Sequence, residues 1–260
     1  MNRLRSTVTA SIVVAAILLL AAAGCMLQAG EQHKPHTTLF IGVDASQSFK
    51  NSGYYDNAVT FLAHYIYGHL NGLGGLDKPT NMFVGSVGGK SLNEPKSFQP
   101  IHNFQGKSIA QIEADLRKLF TPNDAYTEFN PFFQEVARIT KERNLVLAPI
   151  TLMLVTDGVP DSNMPGVRGG AQILYEKINL DPLEYLSRNI TLRIIYLSPK
   201  VAQNWRSYIP RKRIRLLAVD GEVMRGWKSQ MRSGVSIEEQ EKFWRWVRDI
   251  VDFRVRSIKV

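Results

Sequence analysis

The chain has 260 residues, a formal net charge of +9, 44% hydrophobic residues and a single cysteine. That length suits one α/β domain or two small ones, the 21% of charged residues is a globular value, and one cysteine excludes an internal disulfide framework and a cysteine-based zinc site. The positive charge is concentrated at the two ends of the chain. Residues 1–25 carry two basic and no acidic side chains, residues 26–198 hold 15 basic and 16 acidic side chains, and residues 199–260 hold 15 basic and 7 acidic side chains.

The first 24 residues have the pattern of an export signal peptide. Arg3 and Arg5 precede an apolar run over residues 12–23, which is shorter than the roughly 20 apolar residues of a membrane-spanning helix. The run leads into Ala-Ala-Gly-Cys at residues 22–25, which resembles the lipobox of bacterial lipoproteins. This resemblance implies a lipidated Cys25 that anchors the mature chain in a bacterial envelope, on the periplasmic side of the outer or inner membrane. An uncleaved anchor helix with an incidental cysteine is the alternative.

The rest of the chain alternates predicted strands with predicted helices. Residues 25–36 are polar and are predicted to be a tether, so that residues 37–260 form one domain. Hydrophobic patterns predict strands at residues 37–43, 81–87, 98–104, 150–155, 190–197 and 214–219. They predict helices at residues 57–70, 109–120, 130–143 and 171–186. Strands that are apolar on both faces and alternate with helices predict a Rossmann-like, doubly wound, mostly parallel sheet with helices on both faces.

Oxygen-bearing side chains follow two of the predicted strands. Asp44, Ser46 and Ser48 come after the first strand, and alternate residues of an extended loop point the same way. Asp157 follows the strand at 150–155, and Thr127 lies on the loop before a predicted helix. Because ligands of a parallel sheet collect at the carboxyl ends of its strands, we expect these side chains to converge if the two strands are neighbours. Two carboxylates and three hydroxyls suit Mg²⁺, with Mn²⁺ or Ca²⁺ as alternatives.

These residues also resemble a known family. Asp-x-Ser-x-Ser after a buried strand, a later Thr, and Thr-Asp-Gly after a second strand resemble the von Willebrand factor A (VWA) domain and its metal-ion-dependent adhesion site (MIDAS). The resemblance covers about residues 37–260. It implies a metal with one free coordination position, which an Asp or Glu carboxylate of a protein partner fills, and binding rather than catalysis. The metal ligands that it implies are Asp44, Ser46, Ser48, Thr127 and Asp157.

Two further interpretations of these side chains stay open from the sequence. Thr121 lies on the same loop as Thr127, although the apolar helix after Phe129 favours Thr127. Asp, Ser and Thr are also the preferred residues of turns and helix N-caps, which would give each of them a structural role without a metal.

The enzymatic interpretations each lack a part of their motif. Residues 85–91 end in Gly-Lys-Ser like a phosphate-binding loop, but Val84 stands where the first glycine belongs and Pro95 interrupts a following helix, so we expect a hairpin connection. An aspartyl-phosphate phosphatase needs a second Asp where Ser46 stands, and a metal-dependent hydrolase needs a base that is not evident. We therefore expect no enzyme.

The basic C-terminal third supplies a competing hypothesis. Arg211, Lys212 and Arg213 form its densest cluster, with Trp205 and Trp227 nearby in the sequence. Basic residues among aromatic ones can bind nucleic acid, but an exported protein is expected to bind none, and anionic lipid headgroups or a solvated face are favoured instead. In the competing hypothesis the metal only stabilises the fold, and this basic third contacts the partner.

A last helix is predicted to begin at a capping box and to end near residue 251. The capping-box pair is Ser236 and Glu239. Trp244 and Trp246 cannot both lie on the inward face of this helix, so one of them is expected to contact a partner or the membrane. The residues predicted to pack inward are Phe243, Val247, Ile250 and Val251.

Overall fold

The structure, a computed structural model, describes residues 37–91, 94–161, 171–185 and 190–253. The predicted signal peptide, the lipidation site Cys25 and the predicted tether lie outside the described residues. Within the described ranges, no helix is both long enough and apolar enough to cross a membrane.

A six-stranded sheet lies at the centre, and its strands are parallel except at one edge. The strands of the described chain are β1 (Thr38–Val43), β2 (Asn81–Ser86), β3 (Gly88–Gly89), β4 (Phe98–Pro100), β5 (Tyr126–Thr127), β6 (Ile150–Val155), β7 (Thr191–Leu197) and β8 (Arg215–Asp220). The sheet order is β4-β2-β1-β6-β7-β8, while β3 and β5 pair separately. Counted along the chain, this is the order 3-2-1-4-5-6 of Rossmann-like sheets.

Helices join the parallel strands, because such strands need a crossover connection. The helices are α1 (Gln47–Asn51), α2 (Tyr55–Asn71), α3 (Ile109–Leu119), α4 (Phe129–Glu142), α5 (Ala171–Glu176), α6 (Asp181–Glu184), α7 (Pro199–Tyr208), α8 (Gly221–Arg225) and α9 (Glu241–Trp246). A π-helical turn at Val247–Val251 follows α9.

The core has two layers because successive side chains of a strand point to opposite faces of the sheet. Leu39, Ile41 and Val43 of β1 belong to the layer that α2, α3 and α9 cover. Phe40 belongs to the opposite layer, together with Phe132 of α4. Both faces of the central strands are therefore buried, and the predicted doubly wound, mostly parallel fold with helices on both faces is confirmed.

Two predicted elements differ from the structure at prolines. The strand predicted at 98–104 forms an edge of the sheet beside β2 but ends at Pro100, since proline has no N–H with which to continue a ladder. The single helix predicted at 171–186 is wrong. Two short helices, α5 and α6, occupy the described part of this segment, because Pro182 lies in the first turn of α6 and a proline begins a helix but does not continue one.

The predicted start of the last helix is also wrong. The helix begins at Glu241 after the cap residue Gln240, and Ser236 and Glu239 lie in the turn before it. The buried Gln240 side chain holds the preceding turn instead of capping the helix, since it accepts the N–H of Arg232 at 2.8 Å and donates to the carbonyl of the same residue at 2.7 Å.

The inward face of this last segment differs from the prediction at Ile250. A π turn is wider than an α turn, and here Val251 is buried while Ile250 is 41% exposed. Trp244 is buried, and Trp246 is half-buried against the same core layer. Trp244 therefore lies on the inward face, and the contact of one tryptophan with a partner or the membrane stays a prediction for Trp246.

His64 of α2 gives the fold a dependence on pH. Its ring centroid lies 4.9 Å from that of Trp227 and 6.1 Å from that of Phe243, and its Nδ1 lies 2.8 Å from the Thr60 carbonyl oxygen. Burial lowers the pKa of His64 below its usual 6.5. Because the folded-state pKa lies below the unfolded one, the neutral ring contributes stability that is fully present above pH 6.5 and is lost as the pH falls below that value.

We expect His64→Leu to change how stability depends on pH. The free energy of unfolding of the variant, relative to that of the parent chain, should rise between about pH 7 and about pH 5, because no ring then has to be protonated in a buried position. Urea unfolding followed by tryptophan fluorescence at both pH values measures the difference. His102→Leu is the matched control, since His102 is exposed, and it should leave the profile unchanged. Parallel profiles for the parent chain and His64→Leu would contradict the assignment.

Candidate metal centre

The two central strands bring the two predicted carboxylate loops together. β1 and β6 pair in parallel with Val43 opposite Val155, so Asp44 and Thr156 leave the sheet side by side. The Asp44 N–H donates to the Val155 carbonyl at 2.9 Å, which continues the ladder past the end of β1. The following strands are added on opposite sides of this pair, β2 and β4 beside β1 and β7 and β8 beside β6. Such a switch point is where Rossmann-like sheets bind their ligands.

Asp44 is fully buried and oriented by hydrogen bonds from Ser46 and Thr156. Its Oδ1 accepts the Ser46 N–H at 2.9 Å, and its Oδ2 accepts the Thr156 hydroxyl at 2.5 Å. The Thr156 oxygen in turn accepts the Gly158 N–H at 2.9 Å. Thr156 is not among the predicted site residues. Only its position directly before Asp157 in the sequence could have indicated that it belongs to the site. Thr156 positions the Asp44 carboxylate.

Ser46, Ser48 and Asp157 extend this hydrogen-bonded group. The Oγ atoms of Ser46 and Ser48 lie 3.0 Å apart. The Ser48 side chain also hydrogen-bonds the Asp157 carboxylate, whose Oδ1 accepts the Val159 N–H at 3.1 Å. Four of the five predicted ligand side chains therefore lie in one continuous group at the carboxyl edge of the sheet.

Burial disfavours the ionisation of both carboxylates of this group. Burial, and after it the charge of Asp157, raises the pKa of Asp44 from 3.8 to about 6. Burial also raises the pKa of Asp157, against the opposing hydrogen bonds from Val159 and Ser48. Two buried acids that resist ionisation are stabilised by a nearby positive charge, and a divalent cation would supply one.

Thr127, the fifth predicted ligand, lies on a loop that is fastened to the Asp44 loop. Thr127 is buried in β5, just before α4. The Asp124 N–H on the same loop donates to the Ala45 carbonyl at 3.0 Å, and Ser46 and Asp124 form a β-bridge. The alternative residue Thr121 is exposed.

The donor set fits a hard divalent cation. The group offers carboxylate and hydroxyl oxygens only, and in the part of the chain that the structure describes no group of three or more His, Cys, Asp or Glu side chains is placed to hold a metal. A metal here would therefore have to rely on Asp44, Asp157, hydroxyls and water. An ionised carboxylate has about four lone-pair sites, so the hydrogen bonds that Asp44 accepts from Ser46 and Thr156 leave it able to bind a cation as well.

Two of these side chains also form hydrogen bonds to the nearby backbone, as expected from the preference of Ser and Asp for helix N-caps and turns. Ser46 is the N-cap of α1 and accepts the Phe49 N–H at 3.3 Å. Asp157 closes a turn through the Val159 N–H. Neither role requires the burial of Asp44 or the contact between Ser48 and Asp157, so capping alone does not account for the group.

A polar cavity of about 310 Å³ adjoins the group. Ala45, next to Asp44, is part of its wall, together with Ser86, Lys90, Glu94 and Asp124. The Ser86 hydroxyl donates to Asp124 Oδ2 at 3.0 Å, and burial raises the pKa of Asp124. The cavity thus presents side chains of both charges beside the candidate metal centre.

The segment that resembles a phosphate-binding loop lines this cavity and connects β2 to β4, and because these two strands pair antiparallel the expected hairpin connection is confirmed. Gly88 and Gly89 form β3, which pairs antiparallel with β5. Gly88 permits this close approach, since a Cβ there would lie 2.6 Å from Asp124 Oδ2. The described residues from 94 up to β4 contain no helix, which a phosphate-binding loop requires.

The aromatic residues near the basic cluster belong to the core. Trp205 and Trp227 are 0% and 1% exposed, whereas Arg211, Lys212 and Arg213 are exposed. Stacking on a base needs an accessible ring, so these two tryptophans cannot serve a nucleic-acid site.

Gly158 connects the candidate site to α7. Its φ is 72°, and its carbonyl accepts the Trp205 indole N–H at 2.8 Å. A Cβ at this position would lie 2.3 Å from Leu197 Cδ2 and 2.9 Å from Trp205 Nε1. Only glycine fits both the backbone conformation and the packing.

We expect Gly158→Ala to lower the free energy of unfolding by about 2–5 kcal/mol, because the left-handed backbone costs about 1–2 kcal/mol and the overpacking about 1–3 kcal/mol. Urea unfolding measures the loss. Gly106→Ala is the matched control, since Gly106 has a φ of 73° but nothing within 4 Å of its added Cβ. Equal losses in the two variants would show that contact with Leu197 and Trp205 has no part in the effect.

No protein-family model and no curated protein sequence matches the chain. Among solved structures, the open conformation of the pilus adhesin SpaC from Lactobacillus rhamnosus GG matches 85% of this chain and 30% of its own, with a TM-score of 0.50 at 12% identity. Proximal thread matrix protein 1 from the mussel byssus, with a zinc-occupied MIDAS motif, matches 84% and 48%, with a TM-score of 0.44 at 11% identity. The SpRpn10 VWA domain matches 79% and 93%, with a TM-score of 0.41 at 11% identity.

This chain spans less than half the length of the first two of these proteins. Identities of 11–12% bear on the fold alone. The strand order of the sheet and the likeness to SpaC both indicate a Rossmann-like α/β fold.

Proposed function

We propose that this chain is a bacterial envelope lipoprotein whose VWA domain binds a protein partner through a divalent cation, without catalysis. Residues 1–24 are the signal peptide, Cys25 is the lipidated anchor, residues 25–36 are the tether and residues 37–260 are the binding domain. The cation is Mg²⁺, with Mn²⁺ or Ca²⁺ as alternatives. Its ligands are Asp44, Ser46, Ser48, Thr127 and Asp157.

The observation that carries this proposal is the hydrogen-bonded group at the switch point of the sheet. Asp44 and Asp157 come from strands that are neighbours in the sheet, and Ser46 and Ser48 link them through their hydroxyls. The raised pKa values of both acids support a cation between them. The two carboxylates balance the charge of a divalent ion, and the remaining ligands of such a hard cation are again oxygens, for which a carboxylate of the partner is well suited.

The partner therefore offers an Asp or Glu carboxylate to the cation. The adjoining cavity contacts the residues that flank this acid, and its Lys90, Glu94 and Asp124 can pair with side chains of either charge. A polar, charged segment of the partner fits this wall better than an apolar one.

The decisive experiment is capture from an envelope extract with the full chain, in Mg²⁺ and in chelator. The proposal expects a partner that is retained in Mg²⁺, released by the chelator and lost with Asp44→Asn. The triple variant Arg211→Ser, Lys212→Ser, Arg213→Ser is the matched control, because it removes the exposed basic cluster and leaves the candidate metal site intact. Capture that survives Asp44→Asn but fails in the triple variant would favour the competing scaffold hypothesis. Metal-dependent turnover of phosphoester or peptide substrates would contradict a function without catalysis.

A further inference from the structure

The amino ends of the parallel strands form the edge of the sheet opposite the candidate metal centre. A strand of six residues, such as β1, separates the two edges by roughly 20 Å. The loop at residues 143–149 lies at this amino edge between α4 and β6, and the Thr38 N–H donates to its Pro149 carbonyl at 3.0 Å. Leu147 in this loop is 96% exposed and Val146 is 36% exposed. Single exposed apolar side chains are ordinary, so their surroundings decide what they mean.

An exposed aromatic ring and two cations lie next to the loop. Tyr185, the residue after α6, is 80% exposed, and Lys141 Nζ in the last turn of α4 lies 5.2 Å from the centroid of its ring. Arg143, the C-cap of α4, is exposed as well. Tyrosine rings and the long stems of Lys and Arg suit a boundary between lipid and water, because each has an apolar body and a polar end.

The basic cluster Arg211–Arg213 joins the same surface through Glu184. The buried Glu184 carboxylate accepts the backbone N–H groups of Lys212 and Arg213, the latter at 3.1 Å. Glu184 directly precedes Tyr185, so the basic cluster is fixed beside the exposed ring. The backbone of the cluster is held while its three side chains stay exposed to the surface.

We propose that this edge is a docking face for an anionic lipid bilayer. The docking face is defined by its apolar and aromatic tip (Val146, Leu147, Tyr185) and its basic rim (Lys141, Arg143 and Arg211–Arg213). An apolar tip that enters the interface and a basic rim that meets phosphate groups are the two features by which a protein surface binds such a bilayer. The nearby acids offset only part of the rim, because Glu142 pairs with Arg138, outside the rim, at 2.5 Å, and Asp181 pairs with one rim cation, Lys212, at 3.9 Å.

The path of the chain supports a bilayer over another protein as the occupant. β1 begins at Thr38, so the preceding residues join the domain at this same amino edge, and residues 12–23 among them are the apolar run of the sequence. A face that docks here directs the opposite edge, with Asp44 and Asp157, away from the membrane. The candidate metal centre then faces a partner in solution.

The test uses the full chain with Cys25→Ser, which leaves no cysteine and does not depend on lipidation. Leu147→Cys in this background carries an environment-sensitive fluorophore on the docking face. Val159→Cys carries it at the opposite edge, as the matched control, since Val159 is 42% exposed and follows Asp157 by two residues. Both chains are reconstituted into vesicles of phosphatidylethanolamine and phosphatidylglycerol that contain a lipid-borne quencher, and into matching vesicles of phosphatidylcholine.

The proposal expects strong quenching at residue 147 and several-fold weaker quenching at residue 159 in the anionic vesicles. Quenching at residue 147 should fall in phosphatidylcholine and in the triple variant Arg211→Ser, Lys212→Ser, Arg213→Ser, because both remove the electrostatic attraction. Equal quenching at the two positions, or none at residue 147, would overturn the proposal. A spectral shift at residue 147 that rises with protein concentration in the absence of vesicles would overturn it too, in favour of a second copy of the chain. None of these readouts requires the metal, so they are independent of partner capture.

Discussion

Asp44→Asn is expected to stabilise the metal-free protein and to abolish its stabilisation by divalent cations. The folded-state pKa of Asp44 lies above the unfolded value, so the ionised form opposes folding above about pH 6, and this cost vanishes below pH 3.8, where both states are protonated. A rise from 3.8 to about 6 corresponds to up to about 3 kcal/mol at neutral pH. An asparagine side chain keeps the shape and can still bond to Ser46 and Thr156 without carrying the buried charge.

The same substitution should remove the response to metal. A ligand at a hundredfold excess over its dissociation constant stabilises the folded state by about 2.7 kcal/mol, and we expect Mg²⁺ to do this for the parent chain only. Thermal unfolding in chelator and in excess Mg²⁺ gives both numbers in one series. Asp249→Asn is the matched control, because Asp249 is an exposed carboxylate, and it should keep the metal response. An Asp44→Asn variant that still gains stability from Mg²⁺, or that is less stable than the parent chain in chelator, would rule out the assigned role of Asp44.

The fold class could be predicted because its determinants are local. The central strands are continuous apolar runs such as residues 150–155, and a strand that is buried on both faces needs such a run. The convergence of Asp44 and Asp157 could be predicted only conditionally, since it requires β1 and β6 to be neighbours. That pairing connects residues more than a hundred positions apart, as the bond from Thr156 to Asp44 across 112 residues shows, and no local pattern contains it.

The details that sequence patterns missed have tertiary causes. Thr156 and Asp124 acquire their roles from contacts with other loops, the first with Asp44 and the second with Ala45 and Ser86. Ile250 turns outward because a π turn changes the period of the last helical segment, which an assumed α-helical period cannot anticipate. Tyr196 has a φ of 76° in a register shift of β7, where the pattern shows only an apolar strand.

Arg193 also has a role that no sequence pattern predicts. It interrupts the apolar strand β7, which is buried between β6 and β8. It lies in β7, is 3% exposed, and donates through Nη1 to the Val251 carbonyl at 2.9 Å and through Nη2 to the Phe253 carbonyl. Its Nε lies 3.7 Å from Asp252 Oδ1, which also accepts the Tyr65 hydroxyl at 3.2 Å. One guanidinium thereby fastens the end of the described chain to the sheet and neutralises a buried carboxylate.

Arg193→Met should cost about 3–5 kcal/mol of unfolding free energy, because it leaves the Asp252 carboxylate buried without its cation and two carbonyls without their donors. Adding Asp252→Asn should recover part of this loss, since the uncompensated charge is then gone, and a double-mutant cycle from urea unfolding measures the coupling.

Arg138→Met is the matched control, because Arg138 forms only exposed ion pairs, with Glu135 and Glu142, and such pairs contribute little. Additive effects of the Arg193 and Asp252 substitutions would mean that the two side chains do not act as a pair. Faster hydrogen exchange confined to residues 247–253 in Arg193→Met would place the loss in the attachment of that segment rather than in the whole sheet.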